Sequence, residues 1–219
     1  MDINRYIEQT NLRPDLADKD IDELVQAAIR HKFVGACLPP FWVKRAARDL
    51  NNSDVQLVTV IGFPLGYSRT EAKLVEIEKA IEDGANELDV VMNVSAFKSS
   101  MPWTKIELAK CAQLIHSGDA MMKVIIETSY LSNEEIITAT KLCSEAGADW
   151  VKTSTGFSSA GAKVEHIRIM RDNAPSNVGV KASGGIRTLE QANAMLSAGA
   201  DRLGVSGGVD IMEQFNESR

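Results

Sequence analysis

Four short apolar stretches each carry one charged residue where a strand buried on both faces should carry only valine, isoleucine or leucine. They are Asp89 in Leu-Asp-Val-Val-Met-Asn, Lys123 in Met-Lys-Val-Ile-Ile-Glu, Lys152 in Val-Lys-Thr-Ser-Thr-Gly and Lys181 in Val-Lys-Ala-Ser-Gly-Gly. Burying an ammonium is costly unless it is paired or deprotonated. A lysine amine attacks a carbonyl carbon only when neutral, and an ordinary lysine, with a pKa of about 10.4, is mostly protonated at pH 7. Removal from water and a second cation nearby both lower that value. Lys152 and Lys181 on neighbouring strands would meet both conditions. Lys152 is then the expected nucleophile, Lys181 the like charge that depresses its pKa, and Asp89 the carboxylate that holds Lys181 and relays protons. Spacing alone leaves open which of the two lysines attacks. The competing reading is an inward layer of salt bridges that only fills space. That reading is strongest for Lys123, since Glu127, two alternations further on, could share its cluster.

Glycine-rich segments follow the last two expected strands, those at 178–182 and 202–205: Ser183-Gly184-Gly185 and Gly204-Val205-Ser206-Gly207-Gly208. Backbone N–H groups in such segments can approach an anion closely, and a helix N-terminus beside them adds a favourable dipole. Gly156, just past the Lys152 stretch, would complete a phosphate cradle; ordinary turns are the alternative. His31, His116 and His166 fall on or at the ends of helical patterns and show no ligand spacing, so no metal centre is expected. Cys111 and Cys143 fit core positions, and Cys37 fits either a buried thiol or a substrate contact. Trp42, Trp103 and Trp150 suit packing or an interface better than a substrate platform.

The elements that must position these groups are legible as a repeat. Apolar runs at 33–38, 55–61, 87–92, 122–126, 150–153, 178–182 and 202–205 lie about 20–35 residues apart, the length of a βα unit, and each is followed by an amphipathic segment. A strand at 8–12 would make eight, with Asn11 and Pro14 leaving it little room. Three junctions share one turn: Gly84-Ala85-Asn86, Gly147-Ala148-Asp149 and Gly199-Ala200-Asp201. Aligned on it, Asp89, Lys152 and Gly204 are equivalent, and Cys37, Lys123 and Lys181 follow by looser alignment. Ser132 with Glu135 and Thr188 with Gln191 have capping-box spacing. Alternating units with mostly buried strands imply a parallel sheet, and eight in this length favour a closed (β/α)8 TIM barrel, with 1–219 as a single catalytic domain. The charged positions would then point to the axis near the C-terminal mouth.

Composition narrows the partners. The 219 residues carry a formal net charge of −6, which disfavours nucleic acid and anionic membranes. An anionic substrate would need a positive field built locally. The N-terminus lacks a signal-peptide stretch, and no apolar run nears the roughly 20 residues that span a bilayer. Three widely spaced cysteines suit no disulfide framework, so a reducing cytoplasm is the expected location.

Five segments, in order through nearly the whole chain, resemble the deoxyribose-phosphate aldolase family: Val-Ile-Gly-Phe-Pro-Leu-Gly (60–66), Glu-Leu-Asp-Val-Val-Met-Asn (87–93), Lys-Val-Ile-Ile-Glu-Thr (123–128), Val-Lys-Thr-Ser-Thr-Gly-Phe (151–157) and Gly-Val-Lys-Ala-Ser-Gly-Gly-Ile-Arg-Thr (179–188). The resemblance implies a class I lyase without metal or organic cofactor. It would cleave 2-deoxy-D-ribose 5-phosphate reversibly to acetaldehyde and D-glyceraldehyde 3-phosphate, in deoxyribonucleotide catabolism. It also implies that Lys152 forms the Schiff base, Lys181 tunes it and Asp89 is the strand-borne acid. Thr10 and Cys37 would line the pocket, and Gly156, Gly184, Gly185, Gly204 and Ser206 would bind phosphate. The family often forms homodimers. The chain departs from the family pattern at Glu8 and Gln9, where Asp and His are usual, at Pro39 and Gly207, where Asn and Ser are frequent, and in a tail, Asn216-Glu217-Ser218-Arg219, without the terminal Tyr of some relatives. These bear on substrate preference. The rival readings are an imine-forming barrel acting on another phosphosugar and a non-catalytic phosphosugar-binding barrel.

Overall fold

In the computed structural model, which describes residues 2–218, eight parallel strands close into a barrel in chain order. They are β1 (Ile7–Thr10), β2 (Gly35–Cys37), β3 (Gln56–Ile61), β4 (Glu87–Val91), β5 (Met121–Ile125), β6 (Trp150–Lys152), β7 (Gly179–Ser183) and β8 (Arg202–Val205). Ile7 pairs with Leu203 to shut the ring. The helices are α1 (Asp18–His31), α2 (Val43–Asp49), α3 (Thr70–Glu82), α4 (Val94–Lys98), α5 (Trp103–Ser117), α6 (Asn133–Glu145), α7 (Val164–Asn173), α8 (Leu189–Ser197) and α9 (Gly208–Glu217). The fold is the expected (β/α)8 barrel. The first strand is shorter than the expected 8–12: it begins at Ile7 and ends at Thr10. Asn11 N–H still donates to Cys37 O at 3.0 Å, so one ladder bond outlasts the strand before Pro14 turns the chain away.

Local chemistry sets the elements. Ser132 and Thr188 each accept the backbone N–H of the residue three further on, and Glu135 and Gln191 bond back, so both capping boxes form. At Gly84, Gly147 and Gly199 the backbone takes φ of 105°, 94° and 105°, the left-handed region that the shared turn requires. On α1 the buried residues are Ile21, Leu24, Val25 and Ala28, a one-face helical stripe. Such stripes pack on the outward strand residues Leu88, Val90, Met122, Val124, Val151, Val180 and Leu203 to form the main apolar core. No helix among the described residues is long and apolar enough to cross a membrane.

The inward strand residues form a different interior, dominated by charge: Glu8, Glu87, Asp89, Lys123, Lys152, Lys181 and Arg202 are all buried. Glycine makes room for two large groups. A Cβ on Gly35 would lie 3.2 Å from Glu8 Cγ, and one on Gly179 would lie 2.3 Å from the Trp150 ring. A further buried ammonium, Lys73, sits outside the barrel between α3 and α5. Its Nζ donates to Glu107 at 2.5 Å and to Val91 O at 2.9 Å, so it is matched by a carboxylate of its own.

Candidate active site

Asp89 is the hub of the interior cluster. Its Oδ2 accepts from Lys152 Nζ at 2.7 Å and from Lys181 Nζ at 2.8 Å, and its Oδ1 accepts from Lys123 Nζ at 3.0 Å. Lys152 and Lys181 are direct ladder partners on β6 and β7. Lys181 also donates to Glu8, Lys123 reaches Glu87 at 2.5 Å, and Arg202 donates to Glu87 with Glu8 3.5 Å away. Glu127 is not part of this cluster, contrary to the alternative weighed for Lys123. It turns outward past the end of β5 and bonds Thr155 and Ser158 instead. Lys123 is satisfied by Asp89 and Glu87.

Four cationic groups (Lys123, Lys152, Lys181, Arg202) thus face three carboxylates (Glu8, Glu87, Asp89) in a dry interior. One positive charge is unbalanced, so one lysine proton is easily shed. Burial pushes Lys181 down, Lys152 and Lys123 beside it add to this, and Asp89 and Glu8 do not reverse it. Burial is the largest influence on Lys152 and acts to lower it, but the surrounding acidic groups, Asp89 foremost, together overcome it and hold Lys152 above its usual range. The expectation from sequence was the opposite order, with Lys152 depressed by Lys181. The shared Oδ2 explains the change: Lys152, at the edge of the cluster, gains more from Asp89 than it loses to its neighbour, whereas Lys181 lies between two other ammonium groups. For the carboxylates, burial alone would raise both, yet Lys123 and the neighbouring cations bring Glu8 down to about 2 and hold Asp89 well below the usual carboxylate range. Burial, reinforced by Asp89, pushes the Cys37 thiol up to about 12, so it is uncharged at neutral pH.

Above the cluster lies a cavity of about 340 Å³ at the C-terminal mouth. Its wall includes Thr10, Lys152, Gly156, Gly184, Gly185, Gly204 and Ser206, which brings together most of the residues singled out from sequence. Lys181 and Asp89 lie beneath it, reached through Lys152. Gly204 faces the lysine: a Cβ there would be 3.0 Å from Lys181 Cε. Cys37 is not on this wall; it is fully buried with Val58 and Val60 under Leu12 and Phe63. Among the described residues, the N–H groups of Gly156, Gly184, Gly185, Ser206 and Gly207 have no acceptor, and α9 starts directly after them. The rim can therefore receive an anion. Gln9, a departure from the family pattern, holds that rim: its Nε2 donates to Ser206 O at 2.8 Å, and Gly208 N donates to its Oε1 at 2.9 Å.

Sequence reasoning missed Glu8, Glu87 and Arg202 as inward charges and Arg13 and Arg187 as wall residues. The first three were within reach: each stands two residues before a position already read as inward or pocket-lining (Thr10, Asp89, Gly204), and strand side chains alternate. Among the described residues the one group of candidate metal ligands is Glu8, Cys37 and Asp89. Its carboxylates are already engaged by lysines, and a cation there would add to a positive cluster.

Fold and site together define a (β/α)8-barrel enzyme with a lysine–carboxylate cluster at the floor of its mouth. The model of the DeoC/LacD family aldolases matches residues 5–214. The chain is 51% identical to the deoxyribose-phosphate aldolase of Brevibacillus brevis, covering 97% of this chain and 96% of that one, and 49% identical to that of Thermococcus gammatolerans with the same coverage. Among solved structures, the deoxyribose phosphate aldolase of Aeropyrum pernix, described as a tetramer, superposes with a TM-score of 0.92 at 34% identity, covering 99% and 92%. The chain belongs to the DeoC/LacD aldolase family, and is an aldolase.

Proposed function

We propose that this aldolase cleaves 2-deoxy-D-ribose 5-phosphate reversibly to acetaldehyde and D-glyceraldehyde 3-phosphate through an imine on Lys152, a step in deoxyribonucleotide breakdown. The observation that carries the reading is one carboxylate oxygen shared by two lysines, 2.7 and 2.8 Å away, below a cavity rimmed with unpaired backbone N–H groups. Of the two amines, Lys152 alone lines the cavity, so it is the one that meets a carbonyl.

The steps follow from the proton balance. Lys181, the amine that loses its proton more readily, takes the Lys152 proton by way of Asp89 Oδ2. Neutral Lys152 attacks C1 of the open-chain sugar, and loss of water, with the proton returned from Lys181 by way of Asp89, leaves a protonated imine and a neutral Lys181. The C2–C3 bond then breaks, because only an electron pair left on C2 is conjugated with the imine. A base of the Asp89–Lys181 pair, acting through water, removes the C3 hydroxyl proton as C3 becomes the aldehyde of the three-carbon product. The enamine is protonated at C2, and hydrolysis frees acetaldehyde and Lys152. The rim holds the phosphate and so places C1 against the amine.

Borohydride reduction in the presence of acetaldehyde, followed by peptide mass spectrometry, tests this. The label is expected on Lys152, and Lys152→Ala should lose both label and turnover while keeping its circular dichroism spectrum. A label on Lys181, or on no lysine, would refute the assignment.

A further inference from the structure

Among the buried carboxylates that take no part in the mechanism, Glu127 is the one bonded to the segment that follows β6. Glu127, 3% exposed, stands two residues past β5 with φ 50° and ψ 69°, a left-handed conformation that a side-chain-bearing residue keeps only when its surroundings enforce it. The surroundings are the segment after β6. Glu127 Oε2 accepts from Thr155 N–H at 3.1 Å and from Thr155 Oγ1 at 2.5 Å, and Oε1 accepts from Ser158 Oγ at 3.0 Å. Ser129 Oγ, 3.4 Å from Oε1, completes the set. Thr155 Oγ1 in turn accepts the N–H of Phe157 at 3.1 Å.

The consequence falls on the residue between. The N–H groups of residues 155 and 157 are consumed on the Glu127 side, whereas Gly156 N–H has no partner among the described residues. Gly156 lines the cavity at φ 88°, with nothing within 4 Å of where a Cβ would stand. Pinning both neighbours thus fixes the turn that leaves Gly156 facing the substrate. Lys152 is held independently, by its ladder bonds and by Asp89.

We infer that Glu127 is a positioning residue for the anion cradle: through Thr155 it holds Gly156 toward the phosphate end of the substrate, and it sets the preference for phosphorylated over unphosphorylated sugar without acting on imine formation. The inference rests on the reading of the rim as a phosphate site. Two assays on the full chain separate them: titration with inorganic phosphate, and reductive trapping of acetaldehyde. Glu127→Ala should weaken phosphate binding about tenfold and raise KM for the phosphorylated sugar similarly, with trapping at Lys152 unchanged within about twofold. Glu127→Gln, whose amide oxygen can still accept from Thr155, should restore phosphate binding to within about threefold. Thr155→Val, which removes the hydroxyl contact and keeps the N–H contact, should reproduce part or all of the loss, and the double variant should be no worse than the poorer single, because the Thr155 hydroxyl acts on Gly156 through its bond to Glu127. If Glu127→Ala does not fold, Thr155→Val, which removes a single hydroxyl, carries the comparison. Wild-type phosphate affinity in the Ala or Val variant, full additivity in the double, or an equal loss in trapping would overturn the inference. Wild-type protein that traps acetaldehyde but does not bind phosphate would remove the cradle reading, and this inference with it.

Discussion

Lys181 places function and stability in opposition. Its folded pKa lies below its ordinary value, so folding disfavours its charged form; that cost is present at neutral pH and disappears only above the unfolded pKa. Lys181→Met would leave three cations facing three carboxylates. The thermal midpoint at pH 7 is expected to stay level or rise, as calorimetry would show, while kcat falls about 100-fold or more and the optimum moves to higher pH. A lower midpoint with an unchanged pH profile would make Lys181 a structural group. Asp89→Leu acts in the other direction, leaving four cations on two carboxylates, and should cost about 3–5 kcal/mol in a denaturant titration. At this scale the sequence was informative wherever a charge interrupts an apolar run, as at Asp89, Lys123, Lys152 and Lys181. Glu8, Glu87 and Arg202 stand at or near strand starts, where charge is unremarkable, and only strand alternation back from Thr10, Asp89 and Gly204 points them inward. Which lysine is the more acidic depends on which oxygen the two share, and no spacing encodes that.

Between elements, the contact that matters most is the one Gln9 makes from β1 to the start of α9. It links the first strand to the last segment of the cavity rim through Ser206 O and Gly208 N. Gln9→Leu would leave both groups unpaired, so KM for the phosphorylated sugar should rise about tenfold with kcat little changed. Equal activity on phosphorylated and unphosphorylated sugar in the wild type would show that this rim does not serve phosphate. Gly208 tolerates no side chain here, as a Cβ would lie 2.3 Å from Gln9 Oε1. The recurring glycine-alanine turn and both capping boxes were legible because their chemistry is local. The shortened β1 and the role of Gln9 were not, since their partners lie 26 and more residues away in the chain.

For the molecule as a whole, the charged interior predicts how it responds to acid. Glu8, at about 2, and Asp89 are both held below their ordinary values, so their contribution is complete above the usual carboxylate range and is lost as pH falls toward about 2. Melting curves should be nearly flat from about pH 5 to 8 and fall steeply below about pH 4. A decline beginning near neutrality would place the controlling groups elsewhere, among the histidines. The barrel itself was legible because eight strand–helix periods fill the chain. That its centre is a salt-bridged polar column was only half visible.

One consequence of that column concerns Trp150. The Arg202 guanidinium sits 4.4 Å above its ring, and Arg202 in turn bonds the carboxylates that compensate the lysines. Indole emission responds to the local electric field, so this tryptophan is wired to the ionisation state of the machinery it underlies. With Trp42 and Trp103 changed to phenylalanine, the remaining fluorophore would act as a built-in optical gauge of each proton gained or lost at the floor of the barrel, readable during turnover.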